Sequence, residues 1–270
     1  MFAHIINPVK VDEASDLYIA QPITFETMRI ARDFCRQEIE VSQLTTQYPE
    51  DRDMIPGHFE ITPDLDRSIL EIKKFKIPRK LPLIKDILDR LYSHTTDAYR
   101  HLIYTNPDIA LMPYFYQAVS KFIEQGYDAF VIDRRTISDR YSVIDEIPLM
   151  YAEIGDSHRG YDCFVFKREV YPRFKLGNIC TGTAWVGRAL LANMVAYSSN
   201  FREFRDKHLT FHIGDAQVWR NEEYSDYFQE NWNEYFKIFS QLEAEHGMFD
   251  PVWHSYLLDS GEKRKIPDFA

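Results

Sequence analysis

The stretch that decides the fold is Tyr99 to Tyr116, which reads Y-R-H-L-I-Y-T-N-P-D-I-A-L-M-P-Y-F-Y. Tyr99 to Thr105 is rich in residues that favour β-structure, and the Asn-Pro pair that follows disfavours further regular structure, so this part predicts a buried strand that stops at Asn106. Asn106 and Asp108 then stand at the carboxyl end of the strand, where their oxygen atoms could hold a hard cation. Pro113 predicts the start of a helix.

Apolar periodicity predicts further strands and helices on both sides of this stretch. The predicted strands are His4–Val9, Ile39–Leu44, Ala129–Asp133, Cys163–Phe166 and His208–Ile213. The predicted helices are Thr24–Gln37, Pro82–Tyr92, Pro113–Gln125, Ile144–Ile154, Ala184–Tyr197 and Glu222–His246. Residues 45–67 are rich in proline and aspartate and predict a long irregular segment. Alternating strands and helices predict one α/β domain with a mostly parallel central sheet flanked by helices, active at the carboxyl ends of its strands.

Composition excludes several classes of protein. The chain has 270 residues, of which 45% are hydrophobic, so it can bury a sizeable core. Its net charge of −10 argues against nucleic-acid binding. We expect no transmembrane segment, because no stretch approaches ~20 uncharged apolar residues. The three cysteines show no C-x-x-C spacing, which predicts reduced thiols in a cytoplasmic protein.

Tyr99 to Tyr116 resembles the core of GT-A fold glycosyltransferases, which use nucleotide sugars. In that family a hydrophobic strand ends in an Asp-x-Asp motif, and an apolar stretch, a proline and a helix follow. The family's motif holds a divalent metal against the diphosphate of the donor. In this chain Asn106 replaces the first acid and Pro107 the middle residue, while Asp108 keeps the last acid.

The resemblance implies a Rossmann-like GT-A domain over residues 1–220, with a C-terminal helix and tail over residues 221–270 packed on it. It implies that Asp108 binds Mn²⁺ or Mg²⁺ and that Asn106 lies against the donor. The alternative is an Asx-type turn that ends a strand, in which both side chains only cap backbone groups.

Two later segments carry further candidates that the resemblance implies. In Gly160–Phe166 (G-Y-D-C-F-V-F), Asp162 takes the place of the carboxylate that serves as catalytic base in inverting members. In the segment H-L-T-F-H-I-G-D, His212 is the implied late metal ligand. We prefer it to His208, because a strand would hold the two about 13 Å apart and His212 lies nearer the strand end. The alternatives are a water-exposed strand acid and an ordinary core histidine.

The remaining candidates are for substrate contacts. His4–Val9 resembles the first GT-A strand, and this implies that Asn7 and Pro8 approach the base and ribose. Arg134, after a predicted strand, could neutralise the departing phosphate, although paired arginines at a strand end are as often surface groups. In the C-terminal part, Trp232 or Trp219 could stack on an acceptor sugar, and the alternative is a core position.

Together these observations predict a metal-dependent glycosyltransferase that moves a sugar from a nucleotide diphosphate donor to a glycan or another hydroxyl acceptor. A homo-oligomer is compatible with the sequence. Two other functions stay open at this point. One is a non-catalytic GT-A-like module that binds a nucleotide or glycan, which the missing first acid would permit. The other is a metal-dependent phosphohydrolase.

Overall fold

The computed structural model of the protein describes residues 1–205, 207–217, 220–250, 253–254 and 257. The strands are β1 (Phe2–Ile6), β2 (Val41–Thr45), β3 (Glu60–Ile61), β4 (His101–Thr105), β5 (Ala110–Leu111), β6 (Ala129–Ile137), β7 (Asp156–Lys167), β8 (Phe201–Phe204) and β9 (Thr210–Ile213). The α-helices are α1 (Leu17–Cys35), α2 (Ile84–His94), α3 (Phe115–Glu124), α4 (Ile147–Ala152), α5 (Val186–Tyr197) and α6 (Ser225–His246). Trp219 and the tail beyond residue 257 lie outside the described residues.

All the strands belong to one sheet, whose order is β3-β2-β1-β4-β7-β6-β9-β5, with β8 also paired to β6. Strands β3, β2, β1 and β4 lie side by side in that order and are all parallel to one another. Strands β8 and β9 both run parallel to β6. Strand β7 is antiparallel to both β4 and β6, and β5 is antiparallel to β9. The predicted α/β class and mostly parallel sheet are therefore confirmed, with β7 and β5 as the exceptions.

Strand β7 is much longer than the predicted Cys163–Phe166. Its first half was not predicted because its pairing with β6 is irregular. Opposite β6, Asp133 pairs with Tyr161 and Arg135 pairs with Ser157, so four steps along β7 match two steps along β6. Extra residues of this kind form β-bulges, which interrupt the alternation of side chains. The polar residues of the bulged half therefore do not show the pattern of a strand.

Three other boundaries differ for identifiable reasons. Helix α1 begins at Leu17 instead of Thr24 and contains Pro22, and the Asp16 side chain accepts a hydrogen bond from the backbone N–H of Leu17. Helix α4 is shorter than the predicted Ile144–Ile154, because a 3₁₀ turn forms its first part. Strand β9 begins at Thr210, since His208 has a left-handed φ of 45°.

The core has two main layers, one on each face of the sheet. Leu102 and Phe164 pack with α2, α5 and α6 on one face, while Ile103 and Phe130 pack with α1 and α3 on the other. Helix α6 contributes buried residues to the first layer, so its apolar face shares the core of the sheet. The predicted boundary at residue 220 stays a prediction. Among the described helices, none is both long enough and apolar enough to span a bilayer.

Candidate functional site

The candidate site forms where β4 ends beside β7. Thr105, the last residue of β4, pairs with Cys163, and the next residues in each direction are Asn106 and Asp162. The Asn106 amide Nδ2 donates a 3.1 Å hydrogen bond to Asp162 Oδ1. The Tyr104 hydroxyl donates to Asn106 Oδ1 at 3.0 Å, which fixes the orientation of the amide. Asn106 thus ties the predicted catalytic acid to the end of the central strand.

Arg134 lies within β6 and bridges two carboxylates. Its Nη1 donates to Asp162 Oδ2 at 3.0 Å, and its Nη2 donates to Asp215 Oδ1 at 3.2 Å. The Arg134 and Asp162 side chains are 11% and 13% exposed, so the ion pair is largely shielded from water. Within the part of the chain that the structure describes, the guanidinium Nε–H of Arg134 has no acceptor. The alternative of a surface arginine is therefore wrong, and the positive charge stands inside the site.

The second half of the site is a pair formed by Asp108 and His212. His212 Nε2 lies 3.1 Å from Asp108 Oδ2, and the side chains are 7% and 21% exposed for His212 and Asp108. His212 Nδ1 lies 2.7 Å from the carbonyl oxygen of Gly214. Because a carbonyl oxygen only accepts, Nδ1 carries a hydrogen. The Nε2 atom therefore needs a positive charge, a proton or a metal ion, between itself and the carboxylate.

The pKa shifts agree with a charged pair. Burial acts to raise the pKa of Asp108, but the hydrogen bond and the charge of His212 outweigh it and hold this pKa below 3.8. Burial likewise acts to lower the pKa of His212, and Asp108 outweighs that effect, so the pKa of His212 lies above 6.5. In the absence of a metal, a proton on Nε2 fills the position between the two side chains.

A divalent cation fits this pair in three respects. The second carboxylate oxygen of Asp108, Oδ1, is buried and has no hydrogen-bond partner among the described residues. Two neighbouring ligand atoms that each lie ~2.1 Å from an octahedral ion are ~3.0 Å from each other. The distance between His212 Nε2 and Asp108 Oδ2 is 3.1 Å, which is close to this value. An imidazole nitrogen beside carboxylate oxygens suits Mn²⁺. Within the described part of the chain no third acidic, histidine or cysteine side chain joins them, so most coordination positions would belong to substrate and water.

The predicted donor-binding residues lie at the same edge of the sheet. Ile5 of β1 is paired with Tyr104, so Asn7 and Pro8 follow β1 at the level where Asn106 follows β4. Asn7 Nδ2 donates a 2.6 Å hydrogen bond to the backbone carbonyl of Thr46, and Pro8 is buried. The loop is therefore held in place at the sheet edge. Its contact with a nucleotide stays a prediction.

Other candidates lie away from this edge or at its rim. His208 is outside β9, and its carbonyl oxygen accepts a hydrogen bond from the Tyr114 hydroxyl. Trp232 is partly buried and packs against Trp185 on the α6 side of the core. A cavity of about 290 Å³ adjoins the site, and Asp215 lines its wall together with residues of α1 and of the loop after β6. This cavity offers room for a sugar ring beside Asp215, the carboxylate that accepts a hydrogen bond from Arg134.

Sequence reasoning missed two residues of the site. Asp215 follows the end of β9 in the segment H-I-G-D, and a second acid after a strand end was the available signal. His158 lies in the bulged half of β7, where Gly160 leaves space for its ring. A glycine between two polar residues near a buried strand was a weak signal for this arrangement.

Comparison with known proteins bears on the fold. No protein-family profile and no curated protein sequence matches the chain. Among solved structures, residues 1–349 of TarS from S. aureus in complex with UDP-GlcNAc match with a TM-score of 0.53 and 8% identity, covering 95% of this chain and 71% of that chain. A mutant of Drosophila β1,4-galactosyltransferase 7 in complex with manganese, UDP-Gal and xylobiose matches with a TM-score of 0.43 and 10% identity. This match covers 82% of this chain and 74% of the galactosyltransferase chain. The predicted fold is confirmed, and the chain is a GT-A-type α/β domain.

Proposed function

We propose that the protein is a glycosyltransferase that moves a sugar from a nucleotide diphosphate donor to a hydroxyl acceptor, with Mn²⁺ or Mg²⁺ as cofactor. The observation that carries the proposal is the Asp108–His212 pair, which requires a proton or a metal ion between its members and stands at the carboxyl edge of a GT-A fold. Arg134 adds a largely buried positive charge at the same edge. Because Asp108, Asp162 and Asp215 outnumber the positive side chains at this edge, it suits a ligand that carries several negative charges only once the divalent ion is bound.

On the donor side, the loop of Asn7 and Pro8 would contact the base and ribose. Asp108 Oδ1 and Oδ2 and His212 Nε2 would hold the divalent ion. When bound, this ion supplies neutralisation of the negative charge on the diphosphate leaving group. Arg134 offers its unpartnered Nε–H to the same anion while its terminal nitrogens stay paired with carboxylates. The chain's own residues thus bind and orient the leaving group.

On the acceptor side, Asp162 is the proposed catalytic residue. Each of its oxygens accepts one hydrogen bond, from Asn106 or from Arg134, and each keeps a second acceptor position. An acceptor hydroxyl bonded there would lose its proton as its oxygen attacks the anomeric carbon. The bond from that carbon to the diphosphate breaks, and its electron pair leaves with the diphosphate. A glycan or another polyhydroxyl compound in the neighbouring cavity is the acceptor class that we propose.

The cellular setting is part of the proposal. The three cysteines, Cys35, Cys163 and Cys180, are all buried and unpaired. Free thiols are typical of the reducing cytoplasm, and we propose that location. A homo-oligomer stays a prediction.

Thermal unfolding with a panel of UDP-, GDP- and dTDP-sugars, with and without Mn²⁺, tests the proposal. A ligand at 100 times its Kd stabilises the native state by about 2.7 kcal/mol, which is roughly 5–11 °C in a chain of this size. We expect such a shift for at least one nucleotide sugar, only with Mn²⁺, and its loss in Asp108→Asn. Asp97→Asn is the matched control, because Asp97 forms only a surface ion pair with Arg168.

The same panel separates the other two functions. A Mn²⁺-dependent shift without transfer or hydrolysis of any donor would favour the non-catalytic module. Release of inorganic phosphate from a phosphate ester would favour the phosphohydrolase. If no nucleotide sugar shifts the melting temperature of the wild type, the proposal is wrong.

A further inference from the structure

The bulged half of β7 places His158 near the candidate acid Asp162, with Gly160 between them. Two steps of β6, from Asp133 to Arg135, match four steps of β7, so the residues around His158 leave the regular register. Bulges of this kind change the direction in which a side chain points. The His158 ring lies over Gly160, and a Cβ at position 160 would be 2.6 Å from His158 Nε2 and 3.3 Å from Asp162 Oδ2. The imidazole nitrogen and the carboxylate oxygen therefore flank one small space.

Gly160 is needed here because a larger residue would not leave space for the His158 ring, and not because of its backbone conformation. Its φ lies outside the left-handed region, so an alanine could adopt the same backbone. The added methyl group would collide with the far end of the His158 ring, at Nε2 and Cδ2, and it would also make a tight contact of 3.3 Å with Asp162 Oδ2. The glycine thus keeps open the position that the imidazole occupies beside Asp162.

The charges around His158 leave it neutral near pH 7. Burial is the largest effect on its pKa, and the charge of Arg134 on β6 and that of His212 on β9 act in the same direction. Asp162 on β7 and Asp215 after β9 oppose them but are outweighed, so the pKa of His158 falls below 6.5. A neutral imidazole has one nitrogen lone pair that can take a proton.

We propose that His158 is a catalytic residue that accepts the proton of the acceptor hydroxyl, with Asp162 beside it to stabilise the imidazolium that forms. This inference rests on the proposed function and changes the role of Asp162 within it from proton acceptor to neighbouring charge. Both Asp162 oxygens already accept hydrogen bonds, from Asn106 and Arg134, which hold the carboxylate in place. A fixed carboxylate next to an imidazole is an arrangement that favours the protonated ring.

The proton and electron balance is complete without another reagent. The acceptor O–H bond breaks, its proton moves to a ring nitrogen of His158, and the acceptor oxygen forms a bond to the anomeric carbon. The bond between that carbon and the diphosphate oxygen breaks, and the diphosphate leaves with the electron pair. The imidazolium then returns its proton to solvent through the partly exposed side of His158.

The test measures hydrolysis of a donor with water as acceptor, using the sugar nucleotide from the UDP, GDP and dTDP panel that the wild type cleaves fastest. We expect His158→Gln to lower kcat by about 10²–10⁴-fold, the range of a general base, with donor affinity unchanged. At saturating Mn²⁺, where the pH dependence of metal binding does not contribute, the wild-type kcat should fall as the pH drops through the pKa of His158, which lies below 6.5, and this acid limb should vanish in the variant. Gly160→Ala should also lower kcat, because it displaces the ring and leaves His158 in the chain.

Two variants serve as controls. His94→Gln removes a histidine at the end of α2, away from the site, and Gly57→Ala adds a methyl group that meets no atom within 4 Å. Both should keep the wild-type kcat and pH profile. A His158→Gln variant with wild-type kcat, or with the acid limb intact, overturns the role of His158 and leaves the proposed function standing. A wild type that hydrolyses none of the donors refutes the proposed function, and the role of His158 with it.

Discussion

The proton between His212 and Asp108 gives the most detailed prediction. His212 Nδ1 donates its hydrogen to the Gly214 carbonyl. Only Nε2 can therefore lose its proton and bind a metal ion in its place. The pKa of Asp108 lies below 3.8, so this carboxyl is already ionised at any pH above 5. Binding of Mn²⁺ must therefore displace one proton while His212 is protonated, and none after it has lost that proton.

The sign and size of the effect follow from this count. The pKa of His212 lies above 6.5, so Mn²⁺ affinity should be constant above that pKa and fall as the pH drops below it. With one proton displaced, the fall approaches tenfold per pH unit, or about 1.4 kcal/mol. Calorimetric titration of Mn²⁺ into protein with UDP, in two buffers of different ionisation enthalpy at several pH values, measures both affinity and proton release.

Two variants make this measurement decisive. His212→Ala should bind Mn²⁺ more weakly and release no proton, whereas His208→Ala should keep the wild-type slope. His208 is a suitable control because it lies outside β9, with a left-handed φ. Equal pH dependence in the wild type and in His212→Ala would refute the assignment of His212 as the ligand.

Two further predictions concern other parts of the molecule. Asp162→Asn should keep donor affinity and lower kcat, because Asp162 acts on the acceptor side. A calorimetric binding curve with the donor and a rate measurement on the same sample check this, and a kcat equal to that of the wild type would mean that Asp162 has only a structural role. Asn231→Ala should lower the free energy of unfolding by about 3 kcal/mol or more. The fully buried Asn231 amide accepts a hydrogen bond from the Cys180 N–H and donates one to the Cys180 carbonyl, so its removal leaves both of these backbone groups without that partner. Urea denaturation measures it, with the exposed Asn233→Ala as control, and equal midpoints for the two variants would contradict the role of Asn231 in docking α6.

The fold was predictable where a strand is buried on both faces. In β4 every residue from His101 to Thr105 is buried, and the sequence indicates this by the consecutive residues Leu102, Ile103 and Tyr104. The two-residue strands β3 and β5 are too short to leave a pattern. Strand β8 carries the exposed Arg202 and the largely buried Glu203, so its charges hide its pairing with β6.

The candidate site was predictable only where it depends on strand ends. Asn106 and Asp108 follow directly from the end of β4, and the late histidine follows from the end of β9. The contacts of Arg134 with Asp162 could not be predicted, because they depend on the antiparallel pairing of β7 with β6 and on its bulges. Nothing local in the sequence sets that register.

The most direct test of the central claim is Mn²⁺ binding followed by electron paramagnetic resonance, in which the signal of the free hexa-aquo ion decreases as the ion is bound. Titrating wild-type protein into Mn²⁺ with equimolar UDP should remove the free-ion signal. Asp108→Asn should leave that signal in place, since it removes the carboxylate whose Oδ1 lacks a protein partner. Equal loss of the signal with wild type and Asp108→Asn would contradict a metal site at the Asp108–His212 pair.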